Sequence, residues 1–508
     1  MNLKEFIIPF SLTLATFFTV QYFLQPSDSA QGDLRSGQEF VVAAIKEAQL
    51  PLQREVVYEE NFTGPSTQTA ILTNKSEVLF STIGASIDTL RFKHMRNGVE
   101  DYLVTLSPLV QDIKESPSFL VALQDKTPVI YELVSNNKEA DRTIVSYKAT
   151  GKDATIYKKF TVFDDSFKLQ LELTIEPKEQ KSVQPRLFIP QPYLAAMGEN
   201  NVTMALVNTP HKKLEKRKPQ AVLDRSWIKP HLFGIENRYF IHALVADRDQ
   251  FAVRGYFTLE PNGRLAAILE GPTVSVPTIW TFDFYCGPKI ASEMALVDSR
   301  LEATLDYGWF GFLSKGFIYL LNFIYSYVPN YGLVIILLTF LTTLVLLPFT
   351  LKSSKSLRKS NELRQKMQYI EQRYKNDPEA LAREKAEAIK KYGIPEMAGC
   401  LPLLMQIPMF IGLNRALSSS FELYQAPFFG WITDLSAKDP YYVLPLLAAV
   451  GMVIRTASAG DPRQRVQAIL LAIIVAAVTS SFAAGLTLYI CVSTWLGLLQ
   501  TSLQKAAK

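Results

Sequence analysis

From Tyr331 to Thr350 the chain runs for twenty residues without a charged side chain. A helix of that length rises about 30 Å, enough to cross the hydrocarbon core of a bilayer, so this run reads as a transmembrane helix. Further runs repeat the signal. Ala398 to Phe421 carries a single charge, Arg415, Tyr441 to Ile454 is shorter, and Val466 to Ala483 and Leu486 to Leu503 are joined by a tight Ala484-Gly485 turn. Near the start, Phe6 to Leu24 is also long enough to span. Read as a retained anchor with Lys4 on the cytoplasmic side, it brings the count to six. A cleaved signal peptide is the rival reading, against which Asp28 stands where cleavage calls for a small residue.

Hydrophobic residues make up 48% of the chain, but they concentrate in these runs, and the middle reads as an ordinary soluble protein. Phe167, Leu169, Leu171, Leu173 and Ile175 alternate with Lys168, Gln170, Glu172 and Thr174, the period of a strand with one buried face. Similar alternation, or β-branched and aromatic enrichment, covers Thr69 to Thr73, Val78 to Ile83, Thr155 to Val162, Phe251 to Phe257 and Ile279 to Tyr285. Turn clusters at Asn97-Gly98, Pro261-Asn262-Gly263 and Gly271-Pro272 separate strands, and no helical crossovers interleave them. The expectation is a mostly antiparallel sandwich of about 250 residues.

Within the linker that precedes it, Phe40 to Leu50 fits a short amphipathic helix, and the basic cluster His211 to Lys218 reads as a solvated loop. From Leu301 the character changes. Trp309, Phe310, Phe312, Leu313, Phe317, Ile318, Leu320, Leu321 and Ile324 give an amphipathic stretch, interrupted at Ser314-Lys315-Gly316, that is expected to lie along the membrane surface. The division is 1–24 anchor, 25–60 linker, 61–300 sandwich, 301–330 interfacial helix, 331–350 second transmembrane helix, 351–395 hairpin, and 396–508 transmembrane helices three to six with a short tail.

Charge sets the orientation. Leu351 to Tyr392 holds twelve Lys or Arg against six Asp or Glu, and Arg455 to Arg465 adds three Arg, whereas Glu422 to Pro440 has one Lys and three acids. Positive charge stays on the cytoplasmic side, which puts the sandwich in the periplasm and both termini in the cytoplasm. Cys286, Cys400 and Cys491 lie far apart, so neither a disulfide framework nor a paired-cysteine metal site is available.

Enzyme signatures are missing: there is no glycine-rich phosphate loop, no HExxH zinc helix and no GxSxG elbow, and the four histidines lack metal-ligand spacing. No cofactor or metal is expected, and no direct contact with nucleic acid. The segment Lys352 to Tyr392 reads as two helices broken at Asn376-Asp377-Pro378, a basic hairpin that includes Lys355, Arg358, Lys359, Arg364, Lys366 and Arg373. Two explanations compete for that charge: it enforces topology against anionic headgroups, or it receives clients and partners.

Arg415 needs a reason, because an arginine inside a span costs from about 3 kcal/mol upward on insertion scales. Counting helical rise puts Arg415 about 9 Å and Thr339 about 12 Å below the outer surface, one common level. Thr342, Thr343, Asn414, Ser418, Ser419, Thr487, Ser493 and Thr494 add polar groups to these runs. Packing between helices explains small hydroxyls singly, and outward snorkelling explains the arginine. If they converge instead, they line a hydrated groove open to the cytoplasm, in which a client's polar segment keeps its hydrogen bonds while its apolar helix slides into lipid.

Several motifs resemble the YidC insertases. They are Leu305-Asp306-Tyr307-Gly308-Trp309, Leu347-Pro348-Phe349-Thr350, the stretch Gly399-Cys400-Leu401-Pro402 through Gln406-Ile407-Pro408-Met409-Phe410, Gln425-Ala426-Pro427-Phe428-Phe429-Gly430-Trp431, and Gly485-Leu486-Thr487-Leu488-Tyr489. The resemblance spans Leu305 to Gln500. It implies a five-helix core with a hydrophilic groove, a cytoplasmic hairpin and a periplasmic β-supersandwich. It further implies insertion of nascent integral membrane proteins into the bacterial inner membrane, alone or with the Sec translocon, among membrane lipids and without nucleotide hydrolysis. One departure is that the groove arginine usual for the family, five residues before the exit proline, is here Thr343. Arg415 on the next helix then reads as the same charge moved across the groove. A second is the tail, whose only charges are Lys505 and Lys508, so ribosome contact is expected to be weak.

Overall fold

The computed structural model describes residues 67–96, 99–106, 118–123, 130–193, 203–209, 213–259, 263–374, 377–392, 401–457 and 462–506. The Phe6 to Leu24 run, the Phe40 to Leu50 segment and the Asn97-Gly98 turn lie outside them. The chain divides into two compact units, one built mainly from residues 28–306 and one mainly from residues 307–508.

The first unit is all antiparallel sheet. Strands β1 to β4 (Gln68–Leu72, Ser76–Ser81, Ser86–Arg96 and Val99–Leu106) form a four-stranded sheet. A five-stranded sheet runs in the order β13 (Ser226–Ile228), β16 (Arg254–Leu259), β17 (Leu265–Glu270), β10 (Pro185–Pro190) and β5 (Val121–Leu123). The nine-stranded sheet runs β12 (Glu215–Arg217), β11 (Met204–Asn208), β14 (Leu232–Glu236), β15 (Phe240–Asp247), β18 (Thr278–Pro288), β9 (Lys168–Pro177), β8 (Ala154–Phe163), β7 (Arg142–Thr150) and β6 (Glu132–Lys138).

Alternation explains the layering. Along β7, β8 and β9 every second side chain is buried, and the register sets Phe160, Leu171 and Phe282 side by side on one face. Both smaller sheets pack on that face: Phe80 meets Phe160 with ring centroids 4.9 Å apart, and Phe257 meets Phe233 at 4.4 Å. The opposite face carries polar pairs such as Lys159 with Glu172.

Lys158 is the exception, since it occupies an inward position of β8 and is fully buried. Its ammonium donates to the carbonyls of Gly84 (2.6 Å), Ala85 (3.3 Å) and Phe119 (2.7 Å) and lies over the Tyr131 ring. Those carbonyls belong to a turn and a loop where Ala85 and Phe119 adopt positive φ, so one cation holds two irregular segments against the large sheet.

Two sequence expectations change here. The basic cluster is not simply a solvated loop, because Glu215–Arg217 joins the sheet edge and Lys216 pairs with buried Glu236 at 3.2 Å. Phe251 to Phe257 is strand only from Arg254; before it, both oxygens of Asp247 accept the amides of Phe251 and Ala252, which turns the chain.

The second unit is helical. Helix α1 (Ala291–Val297) still belongs to the β unit; then follow α2 (Gly311–Tyr325), α3 (Tyr331–Arg373), α4 (Pro378–Tyr392), α5 (Leu401–Ser419), α6 (Val443–Ala457), α7 (Pro462–Thr479) and α8 (Ala484–Ala506). Tyr331–Leu351 and Ala484–Leu503 are long and apolar enough to cross a membrane, and Val443–Ile454 and Ile469–Thr479 are shorter apolar stretches. Among the described residues, therefore, the count of six spans is not reached.

Three boundaries differ from the sequence reading. Helix α3 continues through Pro348 and beyond Thr350 as one element of 43 residues, so the first arm of the hairpin extends the membrane helix. Ser314-Lys315-Gly316 does not interrupt α2, because Ser314 is buried and its hydroxyl donates to Gly412 O at 3.0 Å. The turn before α8 is Ser480 to Ala483, and Ala484 already opens the helix.

Candidate functional site

The helices pack tightly at one end and loosely at the other. Val334, Ile335, Leu338 and Thr339 of α3 are 0% exposed, in a core shared with Leu413, Ala416 and Leu417 of α5 and Leu486, Leu488 and Tyr489 of α8. That end is the first turns of α3 and α8. Beyond Thr342 no residue of α3 up to Leu351 is fully buried. The same holds for Gln406 to Phe410 of α5, and for α8 from Val492 to Leu503.

Polar side chains stand where packing loosens. Gln406 of α5 donates to the Tyr489 hydroxyl of α8 at 2.9 Å, and Gln500 of α8 donates to Thr350 of α3 at 2.8 Å. Ser493, four residues from Tyr489 and seven from Gln500, lies on the same helical face as both. Two interhelical hydrogen bonds thus set Gln406 and Tyr489, and Thr350 and Gln500, against each other among apolar helices, with Ser493 between Tyr489 and Gln500 on the α8 face. Sequence reasoning missed Gln406, Tyr489, Thr350 and Gln500, although a glutamine in an apolar run poses the same question as an arginine.

The threonines it did select bond mostly within their own helix. Thr339 donates to Ile335 O, and Thr342 and Thr343 both donate to Thr339 O. Thr487 reaches back to Thr479 O and Ala483 O, fastening the turn between α7 and α8. Ser493 and Thr494 both donate to Ile490 O, and Thr494 packs against Gly451 of α6.

Arg415 lies on a different flank. Its stem runs along Gly308, whose φ is +65° and where a Cβ would meet Arg415 Nε at 3.3 Å. Gly412, one turn away on α5, accepts the Ser314 hydrogen bond from α2. Leu413, Ala416 and Leu417 face the α3 and α8 core instead. Arg415 therefore belongs to the seam between α5 and α2, whereas Thr339 belongs to the interior of the bundle. Rise placed the two at one depth, but depth says nothing of azimuth. Asn414 and Ser418 and Ser419, at the end of α5, are half-buried.

In the hairpin, Ile370 and Ala388 pack with Met367, Tyr374 and Leu381, and Lys385 pairs with Glu371 at 2.7 Å. Asp377 caps α4 by accepting the Ala380 amide. Lys366 and Arg373 are exposed, the latter donating to the Tyr369 hydroxyl. The side chains of Lys355, Arg358, Lys359 and Arg364 lie outside the described residues.

A compact loop covers the tight end. Between α5 and α6, Leu423, Ala426, Ile432 and Leu435 are buried in the bundle core, and the three large side chains contribute about 2 kcal/mol each. Asp434 accepts the amides of Gln425 and Ser436, and Asp439 accepts those of Tyr441 and Leu444 with the Trp431 indole.

An all-β domain followed by apolar helices that enclose polar side chains defines a class: membrane-embedded proteins that carry a soluble-type domain. Comparison narrows it. Residues 68–320 match the family described as the YidC periplasmic domain, and residues 323–508 match the 60Kd inner membrane protein family. The membrane protein insertase YidC of Geobacter sp. (strain M21) is 38% identical over 295 residues, 56% of this chain and 54% of that protein. The YidC of Mannheimia succiniciproducens is 30% identical over 379 residues, 69% of this chain and 68% of its own. The chain belongs to the YidC family of membrane protein insertases. It spans about half the length of the first curated relatives it matches. A solved structure of an active YidC insertase with its first transmembrane domain resolved covers 91% of this chain and 98% of its own at 18% identity, with a TM-score of 0.40.

Proposed function

We propose that this protein inserts and folds nascent integral membrane proteins in the bacterial inner membrane, alone or beside the Sec translocon. One observation supports the reading: two hydrogen bonds between helices, Gln406 with Tyr489 and Gln500 with Thr350, set polar side chains among apolar ones, and there we place a recess open at the end away from the α5–α6 loop. The charge rule makes the loose end cytoplasmic. A client's polar segment entering there keeps partners for its hydrogen bonds, and its apolar helix passes into lipid. Burial of that helix drives the step, so no nucleotide is consumed.

Within this reading Thr343, Ser493, Gln406, Tyr489 and Gln500 line the recess, with Thr339, Thr342 and Thr487 behind them. Arg415, with its stem on Gly308, acts as a support for α2. The exposed basic residues of the hairpin meet anionic headgroups and incoming clients.

Depletion of the protein, followed by protease accessibility of newly made membrane proteins, tests the function. Translocated segments should remain protected from outside protease after depletion. Unaltered client topology would remove the proposal. Arg415→Ala separates the two roles of the arginine. A supporting role lowers melting temperature without changing which clients are inserted, whereas a groove role changes insertion of clients with acidic segments at unchanged melting.

A further inference from the structure

Positive charge is concentrated at one corner of the β unit. Residues 213–229 carry six Lys or Arg against two Asp or Glu. They comprise β12, the last strand of the nine-stranded sheet, β13, the last strand of the five-stranded sheet, and the short turn that joins them. The two edges meet because the Trp227 ring of β13 packs on Phe233 of β14 and Phe257 of β16, with centroids 6.1 Å and 5.6 Å away. With Trp227 turned inward, its neighbour Ile228 faces out and is 44% exposed. Lys216 and Arg217 pair with Glu236 and Glu215, whereas Lys213, Lys218, Arg225 and Lys229 are exposed.

The same corner holds the end of this unit's chain. Lys216 Nζ donates to Thr304 O. Arg300 donates to Val245 O at 2.6 Å and to Asn208 Oδ1 at 3.4 Å, and Asn208 ends β11, the strand paired with β12. The helical unit begins at Tyr307. Five residues lead from Thr304 to Trp309, at most about 18 Å of extended chain. Trp309 (80%) and Phe312 (74%) are exposed, and aromatic side chains of this kind settle at the headgroup level. The chain itself thus keeps the basic corner within reach of a bilayer surface. At the other end of the same sheet, β6 is eight strands away, about 38 Å.

We infer that residues 213–229 form a docking surface for anionic phospholipid headgroups, with Lys213, Lys218, Arg225 and Lys229 donating to lipid phosphates and Ile228 entering between the headgroups. Attraction of exposed cations to a charged surface fades within about 10 Å in physiological salt, so it acts only on a patch that the chain holds near the membrane. The surface clamps the β unit by this corner to the bilayer that the helices occupy. It requires only that those helices are embedded in lipid, and it stands whether or not the chain inserts clients.

Acetylation of lysines in the full wild-type chain, read residue by residue by mass spectrometry, tests the assignment without a variant. The protein is placed in nanodiscs of phosphatidylcholine alone or of phosphatidylcholine mixed with phosphatidylglycerol. Lys213, Lys218 and Lys229 should react about threefold or more slowly when phosphatidylglycerol is present, and high salt should restore their rates. Lys138 in β6 (65% exposed) and Lys181 (54%) should keep one rate in both. Equal rates for all five lysines in the two lipids, the result expected if the corner takes an acidic protein instead, overturn the inference. A slowing shared in full by Lys138 and Lys181 also overturns it, because the effect then belongs to the vesicle and not to the corner.

A phosphatidylglycerol analogue with a photoactivatable headgroup gives a second reading. It should label residues 213–229 in the wild-type chain, and the yield should fall about fivefold in the combined Lys213→Gln, Lys218→Gln and Arg225→Gln variant, whose substitutions all lie at exposed positions. An unchanged yield overturns the docking surface.

Discussion

Lys158 shows what a residue pattern reveals and what it hides. The alternation of Thr155 to Val162 is plain in the sequence, but it treats Lys158 as a polar interruption, and nothing in the pattern says that three backbone carbonyls wait for it. An ammonium has three N–H donors, and here each has an acceptor. Burial pushes its pKa well below the usual lysine value. Lys158→Met keeps the stem and leaves Gly84, Ala85 and Phe119 with unmatched buried carbonyls, at a cost of about 1 kcal/mol or more each. Denaturation of the full chain in detergent should therefore show a loss of roughly 3 kcal/mol, and an unchanged midpoint would mean the cation is dispensable.

His242 carries the pH dependence of the same domain. It is fully buried, its Nδ1 lies 3.2 Å from Pro190 O, and its Nε2 has no hydrogen-bond partner among the described residues, so the ring is held neutral. Burial lowers its pKa from 6.5 to about 3. The unfolded chain takes up a proton as pH falls through 6.5 while the folded chain does not until about 3, so stability present at neutral pH is lost progressively across that window. The loss amounts to about 2 kcal/mol by pH 5. In His242→Leu this contribution to the acid slope should vanish; urea midpoints at pH 7 and pH 5 that fall equally in both proteins would contradict it.

At the scale of elements, the sequence announces what has a strong period and misreads what depends on a neighbour. Phe167 to Ile175 and Tyr331 to Thr350 are legible because each writes one environment over many residues. The Ser314-Lys315-Gly316 break is misread because Ser314 finds its acceptor on α5. A helix end after Thr350 is inferred from polarity, yet leaving hydrocarbon for water does not oblige a helix to stop.

The loop between α5 and α6 is opaque for the same reason, since its order comes from Asp434 and Asp439 bonding to backbone a few residues away. Asp439 accepts two amides and an indole N–H. Asp439→Ala removes a helix cap with those bonds and should cost about 1–2 kcal/mol, with Asp439→Asn retaining most of it. Melting of the full chain measures the loss, and Trp431 emission should shift to the red in the alanine variant alone.

For the whole molecule, the fold class follows from where charge and hydrophobicity sit along the chain. The geometry of the site does not, because helical rise gives a side chain's depth and only packing gives its direction. That is why Arg415 and Thr339 look like partners in one dimension although the Arg415 stem packs on Gly308 and Thr339 lies in the interior of the bundle. The proposed recess rests on side chains that break no rule strongly: a glutamine, hydroxyls and the hydroxyl of Tyr489, whose ring lies in the core. If their polarity is what admits a client, then drying the recess should discriminate between clients. Carrying one charge to the centre of a dry bilayer costs about 3 kcal/mol, roughly a hundredfold in rate. Thr343→Leu, Gln406→Leu and Ser493→Leu combined add apolar volume at half-buried positions and leave the tight core of Val334, Ile335 and Leu338 untouched. Insertion of a client with a charged translocated segment should then fall by about tenfold to a hundredfold, while a client with a short uncharged segment keeps its rate. Protease protection of the two clients, measured side by side in the same vesicles, reads the ratio directly. Equal losses for both would point to a damaged bundle and count against a polar route.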